Sequence, residues 1–176
     1  SPWNLPLYLL TWKVAPALAA GNTVVAKPSE VTPMTAYLFS KICQKAGLPK
    51  GVLNIVHGYG NKVGDALCRH PDVPIISFTG GTATGKSIST TAAPLFKKIS
   101  LEMGGKNPNI VFADADFKNA VDMAVKASFS NQGQICLAGS RIYVQETIYE
   151  KFKKDFILKV KKLRIGDPFN SKTDQG

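Results

Sequence analysis

The sequence predicts an α/β protein built on a mostly parallel sheet. Short apolar runs alternate with longer stretches of helical periodicity several times along the chain. Glycine-containing turns follow several of these runs, the pattern of strand–turn–helix units. Hydrophobic residues make up 44% of the 176 positions and spread over the whole length, enough for one sizeable core or two small ones.

The elements follow in order. Leu7 to Ala20 is apolar and predicts a helix, broken or bent near Pro16. Gly21-Asn22 turns the chain into a short strand, Thr23 to Ala26. Thr32 with Pro33 starts a helix that runs to about Gly47. Gly51 to Val56 is the next strand. Gly58, Gly60 and Gly64 follow it, and a helix runs to about His70. Val73 to Phe78 is a strand ending at Gly80-Gly81, with a helix beyond it to about Ala93. Lys98 to Leu101 is a strand ending at Glu102. After Gly105 come a strand over Asn109 to Phe112, a helix capped by Asp116 and running through Phe129, and a strand from Arg141 to Gln145. Phe152, Phe156, Val160 and Leu163 then recur at helical spacing between lysines, which predicts a helix over Lys151 to Arg164. A domain boundary is expected near Gly104-Gly105, giving residues 1–104 and 105–176.

Composition narrows the function. No apolar run is long enough to span a membrane. Trp3, Asn4 and two prolines interrupt any signal-peptide pattern at the start. Three cysteines, Cys43, Cys68 and Cys136, at unrelated spacings form neither a disulfide framework nor a metal site, which points to a reducing, cytoplasmic setting. The net charge of +10 raises nucleic-acid binding as a possibility, but much of the excess sits on the lysine helix and reads as a solvated face. No nucleic-acid motif accompanies it. The chain opens without Met, inside what reads as a motif, and ends in a polar, turn-like stretch. It is read as an internal piece of a longer protein.

Two stretches carry chemistry. Phe129-Ser130-Asn131-Gln132-Gly133-Gln134-Ile135-Cys136-Leu137-Ala138-Gly139-Ser140-Arg141 leads a polar turn into one thiol followed by small residues. Leu101-Glu102-Met103-Gly104-Gly105-Lys106-Asn107-Pro108 sets a carboxylate beside two glycines at a strand end. A thiol nucleophile and a carboxylate base are what acyl transfer through a thioester requires. A rival motif is Gly80-Gly81-Thr82-Ala83-Thr84-Gly85-Lys86-Ser87, which satisfies the P-loop pattern between a strand and a helix. Asn109 to Asp114 resembles the magnesium-holding strand of such NTPases. That reading leaves Cys136, Glu102 and Asn4 without a role. Gly58-Tyr59-Gly60-Asn61-Lys62-Val63-Gly64 also follows a strand, but its last spacing is one residue too long for the dinucleotide fingerprint.

The Cys136 and Glu102 stretches, 34 residues apart, and Ser1-Pro2-Trp3-Asn4-Leu5-Pro6 resemble the signature segments of the NAD(P)-dependent aldehyde dehydrogenase superfamily. The resemblance covers the whole chain. It implies the later part of a Rossmann-like NAD-binding domain over residues 1–104 and the start of the catalytic domain after it. It implies Cys136 as nucleophile, Glu102 as general base and Asn4 as an amide donor to the oxyanion. Lys27 and Glu30 become the adenosine-ribose contacts, and Glu30 would repel a 2′-phosphate, favouring NAD. Trp3, Ser29, Gly60, Gly64, Thr79, Gly80, Gly81, Gly85 and Gly104 complete the implied cofactor site. The turn at Gly80-Gly81 faces the pyrophosphate in this reading. The family's usual Ser is replaced by Gly81, which keeps backbone donors and loses a hydroxyl. Trp12 lies near the implied substrate entrance, and Lys13 matches a lysine given a proton-relay role.

The run Ser1 to Lys13 and the segment His70 to Gly80 look most like the 2-aminomuconic semialdehyde dehydrogenase group, enzymes of tryptophan and aromatic catabolism. A betaine-aldehyde or general aliphatic enzyme is the weaker match. A homodimer or homotetramer is implied for the full-length protein, with an aldehyde as the small-molecule partner and no bound metal. A non-catalytic relative is the remaining alternative.

Overall fold

The computed structural model describes residues 1–176, which divide into two units, Ser1–Met103 and Gly104–Gly176. The first holds α1 (Pro6–Ala19), β1 (Val24–Ala26), α2 (Met34–Lys45), β2 (Leu53–Ile55), α3 (Asp65–Arg69), β3 (Ile75–Gly80), α4 (Thr82–Ala92) and β4 (Lys98–Met103). The second holds β5 (Pro108–Val111), α5 (Phe117–Phe129), β6 (Arg141–Val144) and α6 (Glu146–Val160). Every strand pair is parallel, β1 with β2, β3 with β4 and β5 with β6. Each pair is joined through a helix, as parallel pairing demands. The expected mostly parallel sheet is therefore present as three separate pairs. Apolar side chains on these short strands, among them Val25, Ile75 and Ile110, stay exposed.

In the first unit Leu10 and Val14 of α1 pack with Ala26 and Ala36, and Leu18, Phe39, Leu53 and Ile55 close around them. Of the expected break or bend near Pro16, the break is absent, and this stripe explains why α1 continues as one helix through it. Proline removes one helical hydrogen bond and costs about 3 kcal/mol. Apolar contacts on both sides of it, from Leu10 to Leu18, offset that. The start of α2 also differs from expectation. Pro33 occupies the cap position with no side-chain bond, and the Thr32 hydroxyl is buried without a partner instead of capping.

In the second unit Val111, Val121, Ala124 and Phe152 form the core, with Phe117, Ile142, Val144, Ile148 and Phe156 against them. Burying a side chain such as Phe152 contributes on the order of 2–3 kcal/mol. Asp116 caps α5 as expected, its Oδ1 accepting the Asn119 N–H at 3.3 Å. The lysine-rich helix spans Glu146–Val160, starting five residues earlier than expected and ending before Leu163. Its lysines are partly engaged within the unit. Lys159 pairs with Asp122, Lys153 with Glu150, and Lys151 lies 4.3 Å from the centre of the Phe117 ring. No helix is long and apolar enough to cross a membrane.

Candidate active site

The candidate residues divide between the two units. In the first, β3 and β4 run in register with Ser77 beside Ser100 and Thr79 beside Glu102. Alternation along a strand then sorts side chains onto two faces. Phe78, Gly80, Leu101 and Met103 share the face covered by α4. There a Cβ on Gly85 would meet Met103 Sδ at 2.6 Å, and one on Gly80 would meet the Phe78 ring at 2.4 Å. Both glycines are thus packing requirements. Ser77, Thr79, Ser100 and Glu102 share the opposite, polar face. Lys13 reaches this face from α1, its Nζ donating to Ser77 Oγ at 2.9 Å. Burial pushes the Lys13 ammonium below its ordinary pKa, and the Glu102 carboxylate pulls it partly back. The structure therefore brings Glu102, Thr79 and Lys13 to one face. Glu102 is exposed, the second-last residue of β4, with Met103 between it and Gly104-Gly105.

A second constellation lies at the carboxyl ends of β1 and β2. Lys27 Nζ donates to Glu30 Oε2 at 3.1 Å, to the Pro28 carbonyl at 2.9 Å and to the Gly58 carbonyl at 3.0 Å. It ties together the two loops that follow these strands. Glu30 is exposed, and its carboxyl is held below the usual range by its own backbone N–H and then by Lys27. Ser29 is buried, its hydroxyl accepting the Val31 N–H, so it shapes the turn that presents Glu30. Gly64 lies against the Lys27 stem, where an added Cβ would sit 3.9 Å from Cε. The extra residue in the glycine stretch is wound into a π-helical turn over Gly60–Gly64 that runs into α3. A π turn takes up one residue more than an α turn, which matches the long spacing.

Gly81 is the N-cap of α4, and no side chain caps the helix. Its first-turn N–H groups have no intrahelical acceptor and attract an anion. A Cβ at Gly81 would meet nothing within 4 Å. A lysine–glutamate pair for hydroxyls and an uncapped helix start for phosphates, both at carboxyl strand ends, fit a dinucleotide. The same geometry removes the P-loop reading. Such a loop needs several residues between strand and helix to wrap a phosphate. Here β3 ends at Gly80, α4 begins at Thr82, and Gly85 is buried inside the helix.

Trp3 and Asn4 lie in the bend before α1, Trp3 exposed and Asn4 half-buried. Trp12 is exposed on α1 and packs edge-to-face with Tyr8 at 5.0 Å.

In the second unit Cys136 is half-buried in the loop between α5 and β6. Three successive residues before it, Asn131, Gln132 and Gly133, have φ of 50°, 58° and 71°. Cys136 then sits inside a turn closed by the Ala138 N–H donating to the Ile135 carbonyl at 3.0 Å. Downstream, Gly139 N–H bonds the Ala127 carbonyl and Ser128 Oγ bonds the Gly139 carbonyl, fastening the loop to α5. Sequence reasoning missed Asn107. Its Nδ2 donates to the Cys136 carbonyl at 2.5 Å and to the Ala138 carbonyl at 3.3 Å. Its presence in the Glu102 stretch was a signal, but nothing in the sequence says which backbone groups an amide meets.

Residues 1–176 match the model of the family described as "Aldehyde dehydrogenase family". The chain is 55% identical over 176 residues to 2-aminomuconic semialdehyde dehydrogenase of Mus musculus, covering 100% of the chain and 36% of that protein. It is 51% identical to betaine aldehyde dehydrogenase of Bacillus subtilis over the same 176 residues, again 36% of that protein. Among solved structures, betaine aldehyde dehydrogenase from Staphylococcus aureus in complex with NAD+ superposes with a TM-score of 0.96 at 48% identity, over 99% of this chain and 35% of that one. The chain thus spans about a third of the length of the relatives it matches.

Proposed function

The chain belongs to the aldehyde dehydrogenase family, and we propose that the protein containing it oxidises an aldehyde to a carboxylate with NAD. The single observation that carries this is Glu102 on the polar face of β3–β4 beside Lys13, in a chain that also presents Cys136 in a fastened turn. Cys136, as thiolate, attacks the aldehyde carbon. The Asn4 amide and the Cys136 backbone N–H stabilise the oxyanion that forms. Bound NAD supplies the acceptor for the hydride that leaves this carbon. Glu102 then takes a proton from water, and the resulting hydroxide hydrolyses the thioester, releasing the acid and restoring the thiol. Lys13, through Ser77 and the Glu102 face, offers that proton a way out.

In this reading Lys27 and Glu30 hold the adenosine ribose. The α4 N-terminus at Gly81 receives the pyrophosphate. Trp3, Gly60, Gly64, Thr79 and Gly104 shape the cofactor site, and Trp12 borders the substrate entrance. The acidic Glu30 favours NAD over its 2′-phosphorylated form. A 2-aminomuconic-semialdehyde-type substrate is the preferred assignment, supported by the 55% identity to the mouse enzyme of that name and by the Ser1 to Lys13 segment. The 51% identity to a betaine aldehyde dehydrogenase supports the second reading. A cytoplasmic homodimer or homotetramer completes the proposal, in line with three free cysteines. The test is NADH formation by the full-length protein from a panel of aldehydes that includes a muconic semialdehyde. Turnover abolished by Cys136→Ala supports the reading. Turnover that survives this substitution refutes it.

A further inference from the structure

The Asn107 side chain has no role in the mechanism above, yet it reaches the nucleophile turn from a different segment. One amide group offers two N–H donors. The carbonyls of Cys136 and Ala138 lie two residues apart on the turn, and Asn107 Nδ2 is 2.5 Å from one and 3.3 Å from the other. We infer that Asn107 is a positioning residue for Cys136, a role that rests on the dehydrogenase reading. Holding the Cys136 carbonyl fixes the peptide plane that follows the nucleophile, and with it the direction of the Cys136 Cα–Cβ bond.

The need for such a clamp follows from the loop itself. On its upstream side Asn131 and Gln132 adopt left-handed backbone, which costs energy for residues with a side chain. On its downstream side Gly139 is fastened to α5 at Ala127 and Ser128. Between these lies the Ile135–Ala138 turn, and Asn107 meets it at the carbonyl of Cys136. Asn107 is itself fixed, because its carbonyl accepts the Arg141 N–H at 3.3 Å and the neighbouring Lys106 carbonyl accepts Arg141 Nε at 2.8 Å. A shorter hydroxyl has one donor and cannot serve both carbonyls. An apolar side chain of the same shape serves neither. Displacing a nucleophile by about 1 Å is enough to cost roughly 100-fold in rate.

The experiment uses the full-length protein with Asn107→Leu, which keeps the shape without donors, and Asn107→Ser, which keeps one donor. Kinetics are read together with amide hydrogen exchange. For Asn107→Leu, kcat falls about 10- to 100-fold while KM for NAD changes less than about 2-fold. Exchange across residues 134–139 accelerates about 10-fold or more while α5 and α6 keep their protection. Asn107→Ser recovers part of both losses. Two results overturn the inference: kcat of Asn107→Leu within about 2-fold of wild type, or loss of protection spread equally over α5 and α6, which would make Asn107 an ordinary structural residue. A wild type that oxidises no aldehyde refutes the dehydrogenase reading separately. Exchange then decides the clamp alone, supported if protection of 134–139 depends on Asn107 and overturned if it does not.

Discussion

Gly58→Ala tests how the two loops at the β1–β2 ends are held. Gly58 has φ of 147°, a backbone region that residues with a Cβ rarely enter. A Cβ there would meet Val63 Cγ2 at 2.4 Å and Val63 Cβ at 3.4 Å. The backbone strain contributes about 1–3 kcal/mol. Forcing a methyl against Val63 adds about 1–3 kcal/mol. The loss of stability is therefore expected at about 2–6 kcal/mol. Any backbone shift also moves the Gly58 carbonyl away from Lys27 Nζ, 3.0 Å away in the intact site. A lost hydrogen bond to a charged group is worth about 1.5–3 kcal/mol, so Lys27 is held less firmly in the proposed ribose site and NAD binding weakens. Urea unfolding of the full-length protein and fluorescence titration with NAD measure the two effects. Adding Val63→Ala removes the contact and not the strain, so the double variant should recover about 1–3 kcal/mol relative to additivity. A Gly58→Ala protein within about 0.5 kcal/mol of wild type, or no coupling to Val63, refutes this reasoning.

Two further outcomes are expected. Gly81→Ser meets no steric obstacle and adds a hydroxyl that can donate to an anion held by the first-turn N–H groups of α4, so the dissociation constant for NAD should fall about 2- to 5-fold by titration; unchanged or weaker binding contradicts an anion at that helix start. The Asp174 carboxyl is held down to about 2 by the Arg164 side chain, Nε at 3.0 Å and Nη2 at 3.1 Å, and then by the Arg164 backbone N–H. Its folded pKa lies below the unfolded one, so the stabilisation is complete above about pH 4 and is lost as pH falls through about 2. An NMR titration should show that low midpoint, and Arg164→Gln should move it up towards the ordinary carboxylate value.

The α/β class was readable because strand runs and amphipathic helices alternate, and Asp116 marked the start of α5. The strand from Lys98 was readable with Glu102 at its end; that Glu102 lies on the face away from α4 came from the register of β4 against β3. Other features depend on tertiary contacts that composition does not encode. Pro16 looks like a helix breaker until Leu10, Val14 and Leu18 are seen to hold both sides of α1. The start of α6 was hidden because lysine spacing drew attention to Lys151 onwards, while Ile148 supplies the first core contact. The Gly80–Ser87 pattern suits a P-loop by residue type, but the structure winds it into helix from Thr82, with Gly85 packed on Met103. In the candidate site, Lys27 and Glu30 were named through the family resemblance, and the structure pairs them at 3.1 Å. The bond from Lys27 to Gly58 and the bonds from Asn107 to the Cys136 turn join segments 31 and 29 residues apart, beyond any local rule.

The measurement that bears most directly on the central claim is a stopped-flow single-turnover experiment on the full-length protein with Glu102→Gln, with the intact mass recorded in parallel. Thioester chemistry at Cys136 with Glu102 as the deacylating base predicts a burst of about one NADH per site, a slow following phase and an acyl adduct on Cys136. Glu102→Gln turning over at the wild-type rate with no adduct would contradict it.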